Sequence, residues 1–314
     1  MTKIEWTRGD DGTEGATWNP TTGCDKISPG CGLPRFEGDE TGGCYALAMA
    51  RRLKAMGQAK YQNDGDPRTS GPGFALTVHE DALTVPLRWR KPRRVFVNSM
   101  SDLGHARVPG EFQAQVWAVM AATSQHTYQI LSKRPERLRR LLADDCRCGS
   151  GHPPGTHFKS AMEWAATPHS PTYVPGLKSG LTNRVPWPLP NVWMGTSIEL
   201  GDYCRRADEL RQTPAAIRFL SLEPLLGPLP SLDLTGIDWA IIGGESGAGS
   251  RPLDLGWVRD LIGQCREAGT AIFVKQLGSQ WAHDHGSDSK GGDWSYWPDD
   301  LRIREFPAVA LEAA

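Results

Sequence analysis

Short apolar runs recur along the chain, each followed by polar or glycine-rich residues and then by a stretch with helical spacing. The runs cover residues 74–78, 95–98, 127–131, 192–195, 217–221, 239–243 and 271–274. Near-continuous apolar runs of this length read as strands buried on both faces, as in parallel sheets covered by helices. Helical periodicity between them predicts helices over 111–124, 203–212 and 255–268, with Asp202 placed to cap the second. Strand alternating with helix makes a parallel α/β architecture. Closure of the sheet into a full or partial barrel is the more economical arrangement, and a doubly wound open sheet is the alternative.

Residues 143–190 break the alternation and read as an inserted loop region rich in Pro, Gly, Ser and Thr. Cys146, Cys148, His152 and His157 fall inside it and offer the donor set of a tetrahedral zinc site. The Cys-x-Cys pair strains chelation of one ion, so a mobile loop with unligated side chains is the alternative. A chain of 314 residues suits one α/β barrel. We expect a single domain over 1–285, with 286–314 as a C-terminal extension. No apolar stretch approaches membrane-spanning length and no signal peptide is evident. A cytoplasmic protein is therefore expected.

Ligands of parallel α/β folds bind at the carboxyl ends of the strands, so the residues that follow each run carry the functional signal. They are Asn98-Ser99-Met100-Ser101-Asp102, Leu131-Ser132-Lys133-Arg134-Pro135, Gly195-Thr196-Ser197-Ile198-Glu199, Ser221-Leu222-Glu223-Pro224, Gly243-Gly244-Glu245-Ser246-Gly247 and Lys275-Gln276. Each alone could end a strand or make a turn. Together they form the rim of one polar site.

Seven cysteines, an odd number, do not suggest a disulfide framework. Three of them, Cys24, Cys31 and Cys44, sit in a polar, glycine-rich stretch where a packing thiol is not expected. Cys204 and Cys265 fall in helix-like segments where packing suffices. A structural zinc normally takes four protein ligands, whereas three thiolates on a four-iron cluster leave one iron free for a small molecule. Formal net charge is −1, so any attraction to nucleic acid must be local. Two basic runs could supply a phosphate-binding surface: 88–94, with Arg88, Arg90, Lys91, Arg93 and Arg94, and 133–140, with Lys133, Arg134, Arg137, Arg139 and Arg140. A solvated helix or loop face is the alternative for each.

The opening Trp18-Asn19-Pro20-Thr21-Thr22-Gly23-Cys24, the cysteine loop ending in Cys44-Tyr45-Ala46, and the strand-end motifs in this order resemble an uncharacterised three-cysteine protein family found in phages and bacteria. The likeness runs from about Lys3 to Trp281. That family is similar, more distantly, to radical S-adenosylmethionine (SAM) enzymes of the spore photoproduct lyase branch. The resemblance implies a partial (β/α)6-type parallel barrel, a 4Fe-4S cluster on Cys24, Cys31 and Cys44, SAM on the open iron, and an electron-donor protein as partner. Asn98, Ser99, Ser101, Asp102, Ser197, Glu199, Gly243, Gly244 and Lys275 are then expected to bind cofactor, with Lys133, Glu223 and Glu245 as catalytic groups. The activity implied is 5′-deoxyadenosyl radical chemistry for modification or repair of a nucleic acid or nucleotide, so DNA or RNA is the expected substrate. Cysteine gaps of six and twelve residues depart from the usual three and two, and the aromatic Tyr45 follows the last cysteine instead of preceding it. Two other functions compete. One is a SAM-independent α/β barrel enzyme with a structural metal, using Asp102, Glu199, Glu223 and Lys133 for acid–base work. The other is a metal-stabilised nucleic-acid-binding accessory protein without turnover.

Overall fold

The computed structural model describes every residue except 1, 3, 10–11, 40–42, 144–147 and 309–314. In chain order the elements are β1 (Ala16–Trp18), β2 (Thr21–Thr22), α1 (Tyr45–Ala55), β3 (Thr77–Val78), α2 (Glu80–Leu83), β4 (Arg94–Val97), α3 (Gly110–Ala122), β5 (Thr127–Ser132), α4 (Pro135–Ala143), α5 (Thr156–Ala166), β6 (Val192–Ser197), α6 (Arg205–Arg211), β7 (Ile217–Leu222), β8 (Trp239–Gly243), α7 (Leu255–Ala268), β9 (Ala271–Gln276) and α8 (Ser279–His285). Seven strands pair in parallel in the order β1-β4-β5-β6-β7-β8-β9 and curl into a half-barrel surrounded by helices.

Successive side chains of a strand point to opposite faces, so each strand feeds two cores. On the helix-covered face Val95, Val97, Ile130, Met194, Leu220, Leu222, Ile242 and Val274 join the large core. On the concave face Trp193, Phe219, Trp239, Ile241 and Phe273 make a second, aromatic cluster closed by Trp6. Burying each such side chain contributes roughly 1.5–3 kcal/mol. A Cβ at Gly195 would fall 2.3 Å from the Phe219 ring, so the ring takes the space that any side chain there would need.

Six of the seven apolar runs are strands of this sheet, and the run at 74–78 is not. Its residues Thr77–Val78 pair antiparallel with β2 in a separate ribbon, while Phe74 packs in a satellite cluster with Met100 and α1. The place of first parallel strand belongs to β1, whose three residues are too few to stand out as an apolar run. The helix expected over 203–212 begins as a 3-10 turn, Gly201–Tyr203, so Asp202 lies inside the turn and Cys204 takes the cap position of α6. Residues 255–268 form α7 as expected, capped by Asp254, whose carboxylate accepts from the Gly256 amide at 2.7 Å.

From α5 onward the segment inserted between α4 and β6 is packed, not a loose loop. Phe158, Met162, Ala165 and Ala166 of α5 are buried in the large core, and Phe158 meets Trp117 of α3 edge to face at 5.5 Å. Val174, Leu177, Leu181 and Leu189 follow it into the same core. The C-terminal residues also return to the barrel. Val274 donates to the Ile303 carbonyl and Glu305 to that of Ile272, so 303–305 cover the outer edge of β9. Phe306 then packs against Trp239, tilted, and Phe273, edge to face. No helix among the described residues is long and apolar enough to cross a membrane.

Candidate functional site

Going up the concave face from the aromatic cluster, the side chains become small and then charged. Gly195, Ser197, Ser221 and Gly243 share the face of Trp193, Phe219 and Trp239 by strand alternation. Beyond them, at the carboxyl ends, stand two ion pairs: Lys133 with Glu199 at 3.0 Å and Lys275 with Glu223 at 2.7 Å. The cysteine loop begins at the same end, because Gly23 bridges in parallel to Ser101 just past β4.

Within the loop, Cys24 follows β2, Cys31 ends a 3-10 turn, and Cys44 stands at the cap of α1. Cys31 is near enough to both other cysteines that its charge bears on each. Cys24 and Cys44 both pack against the cluster of Ala46, Leu47, Ala50, Phe74 and Met100. Elsewhere, Cys148, His152 and His157 bring three ligand atoms within 4.8 Å of one another. Burial pushes the Cys24 thiol up to about 12, the charge of Asp102 adds to this, and Arg134 opposes it. Burial also raises Cys44, against the pull of the Leu47 and Ala46 amides.

Three buried carboxylates fix the loop to the barrel. Glu199, which has no exposed surface, accepts from the Ser28 hydroxyl, from the Gly30 amide at 3.2 Å, from Lys133 at 3.0 Å and from Arg206 at 2.9 Å. Burial alone would raise its pKa, but Lys133, Arg206 and Ser28 hold it below the ordinary value. A Cβ at Gly30 would lie 2.9 Å from a Glu199 oxygen and 3.1 Å from the Lys133 nitrogen, which explains a glycine there. Glu245 pairs with Arg251 through two contacts, at 2.6 and 2.8 Å, and Arg251 donates on to the Pro29 carbonyl at 2.9 Å. Asp102 accepts from Ser132, from the Lys133 and Gly104 amides and from Arg134. Arg134 in turn reaches the Cys24 sulfur at 3.3 Å and the Asp25 carbonyl at 2.9 Å.

Residues of the expected rim thus divide by use. Glu199, Glu245 and Asp102 hold the loop, and their hydrogen-bonding capacity is taken up in doing so. Asn98, Ser99 and Ser101 tie the end of β4 to Asn19 and Thr21. Asn98 adopts a left-handed φ of 65°, and its buried Oδ1 has no partner among the described residues. Ser197 lends its carbonyl to Arg206 at 2.7 Å. Glu223 and Lys275 form the pair not engaged with the loop: besides each other, Glu223 meets Gln276 at 3.0 Å and lies beside Gly243. Gly244 packs against the Leu277 carbonyl, where a Cβ would fall 2.6 Å away. Sequence reasoning missed Ser28, Arg206 and Arg251. Arg251, six residues past Glu245, carried the nearest thing to a linear signal.

The two basic runs do not make one surface. Arg94 opens β4 while Lys133 follows the end of its parallel neighbour β5, so the runs begin at opposite ends of the sheet. Arg94 lies over Phe306 and Trp193 at the aromatic base. In the second run Arg134 is taken by Asp102 and Cys24, Arg137 by the Ala106 and Val108 carbonyls, Arg139 by Glu209 and Arg140 by Glu136. In the inserted segment, Cys148, His152 and His157 are exposed and close together, and Cys146 lies outside the described residues.

A family model described as "Protein of unknown function (DUF5131)" matches residues 1–298. No curated protein and no solved structure matches the chain.

Proposed function

The chain belongs to the DUF5131 family, and for it we propose a radical SAM enzyme in which Cys24, Cys31 and Cys44 hold a four-iron, four-sulfur cluster with one iron open to SAM. The observation that carries this reading is the docking of a three-cysteine loop, by buried ion pairs, at the carboxyl end of a parallel half-barrel. The donor set fits the group: three free thiols of one loop, with a guanidinium directed at one sulfur. Held by Cys24, Cys31 and Cys44 and supplied with one electron, such a cluster would provide reductive cleavage of SAM to methionine and a 5′-deoxyadenosyl radical for hydrogen-atom abstraction.

The chain's own residues position and shield that chemistry. Arg134 donates to the Cys24 sulfur and stabilises negative charge on it. Glu199, Lys133 and Arg206 keep Ser28 and Gly30 in place, and Arg251 does the same for Pro29. Glu223 and Lys275 present a carboxylate and an ammonium side by side, each 17% exposed, which complements the zwitterionic end of an amino acid. The aromatic cluster below closes the barrel's base against water. The basic runs lend no support to a nucleic-acid substrate, one being remote from the loop and the other internally paired, so the proposal names radical chemistry alone.

Anaerobic reconstitution tests it. About four irons and four sulfides per chain are expected, with 5′-deoxyadenosine released on addition of SAM and dithionite. Replacement of Cys24, Cys31 or Cys44 by Ala should abolish iron loading, and Cys265→Ala should not. Iron retained in all three loop variants, or a full cluster that never yields 5′-deoxyadenosine, would overturn the reading.

A further inference from the structure

We propose that Cys148, His152 and His157 form a zinc site, independent of the cysteine loop and of the function proposed for it. The thiol and the two imidazoles bring one ligand atom each into a group whose members all lie within 4.8 Å of one another. Zinc bond lengths to sulfur and nitrogen, with tetrahedral angles, place such atoms about 3.5 Å apart. Closing the shell therefore asks for movements on the order of 1 Å. The imidazole rings already stand edge to face, with centroids 4.9 Å apart.

The chain is bent to bring these groups together. Gly149, Gly151 and Gly155 all take positive φ, and Pro153-Pro154 stiffen the stretch that returns to α5. Gly155 is pressed between the Trp187 indole and the Leu142 carbonyl, where a Cβ would fall 2.5 and 3.2 Å from them. His157 is the second residue of α5, and Phe158 beside it is buried in the core, so one ligand is fixed to the body of the protein. Cys148 and His152 stand on the turn before the helix.

One thiolate and two imidazoles make a borderline-soft donor set, which suits zinc and excludes the oxygen-seeking calcium and magnesium. The site is also remote from the cysteine loop. Arg134, which touches Cys24, immediately precedes α4, whereas Gly155 packs at the far end of that nine-residue helix, about 13 Å along its axis. Zinc here would clip the turn that carries Cys148 and His152 to the start of α5.

The test uses metal-stripped full-length protein and zinc alone, comparing the parent with His152→Ala/His157→Ala and with Cys148→Ser. Zinc stoichiometry is read against a chromophoric chelator, and limited proteolysis maps cleavage between α4 and α5. The double variant keeps all seven cysteines, so thiols elsewhere contribute equally to both. We expect the parent to bind about one zinc more than either variant, and zinc to slow cleavage between α4 and α5 in the parent alone. Equal stoichiometry in parent and variants, or protection that survives loss of both histidines, would overturn the site. These side chains are exposed, so unchanged circular dichroism should accompany every variant.

Discussion

The Arg134 guanidinium joins the Cys24 sulfur, 3.3 Å away, to the Asp102 carboxylate, 2.8 Å away, so a cation held by a buried anion faces one of the three loop thiols. Hydrogen bonds to a ligating sulfur are among the terms that set a cluster's reduction potential, since they stabilise the more negative, reduced state. Arg134→Met removes the donor and leaves Asp102 without its counter-charge. We expect lower iron occupancy after reconstitution and a more negative potential in a redox titration followed by electron paramagnetic resonance. Unchanged occupancy and potential would mean that Arg134 serves Asp25 and Asp102 alone.

Glu199 gives a prediction in pH. Its folded pKa lies below the ordinary 4.5, where burial is outweighed by Lys133 and Arg206. The stabilisation is therefore complete above about pH 4.5 and is lost as pH falls through the lower folded value. Glu199→Gln should flatten that acid limb of stability against denaturant. Glu199→Ala, which leaves buried Arg206 and half-buried Lys133 without their carboxylate, should cost on the order of 3–5 kcal/mol at neutral pH. An acid limb as steep in Glu199→Gln as in the parent would show that another carboxylate governs it.

How much of this was legible follows from what the linear pattern encodes. Strands buried on both faces write themselves as apolar runs, so β4 through β9 were readable, whereas three-residue β1 left too short a trace. The run at 74–78 misled because an apolar residue such as Phe74 can serve a satellite cluster as well as a sheet. The rim motifs were visible as polar residues after strands, but not how they are spent. Glu199 and Glu245 look equally available in sequence. Only the fold reveals that Arg206 and Arg251 neutralise them beneath the loop. Likewise 133–140 reads as a basic surface because sequence shows charge and hides partners, such as the carbonyls of Ala106 and Val108 under Arg137.

Glu223 and Lys275 separate ligand recognition from loop support. Among the described residues their side-chain hydrogen bonds do not reach the loop of residues 24–44; they run to each other and to Gln276. If the pair receives the amino-acid end of SAM, Glu223→Gln should weaken SAM binding while iron and sulfide content stay at the parental level. Lys275→Met should do the same by removing the cation that faces a carboxylate. Losing one charge-assisted contact in a partly exposed pair costs about 1.5–3 kcal/mol, or roughly ten- to a hundredfold in affinity. Equilibrium binding of SAM to the reconstituted protein measures it. Stability should change little, because the partner left behind retains access to water at 17% exposure. Loss of iron in either variant would place the pair in support of the loop, and unchanged SAM affinity in both would move the binding site to another part of the rim.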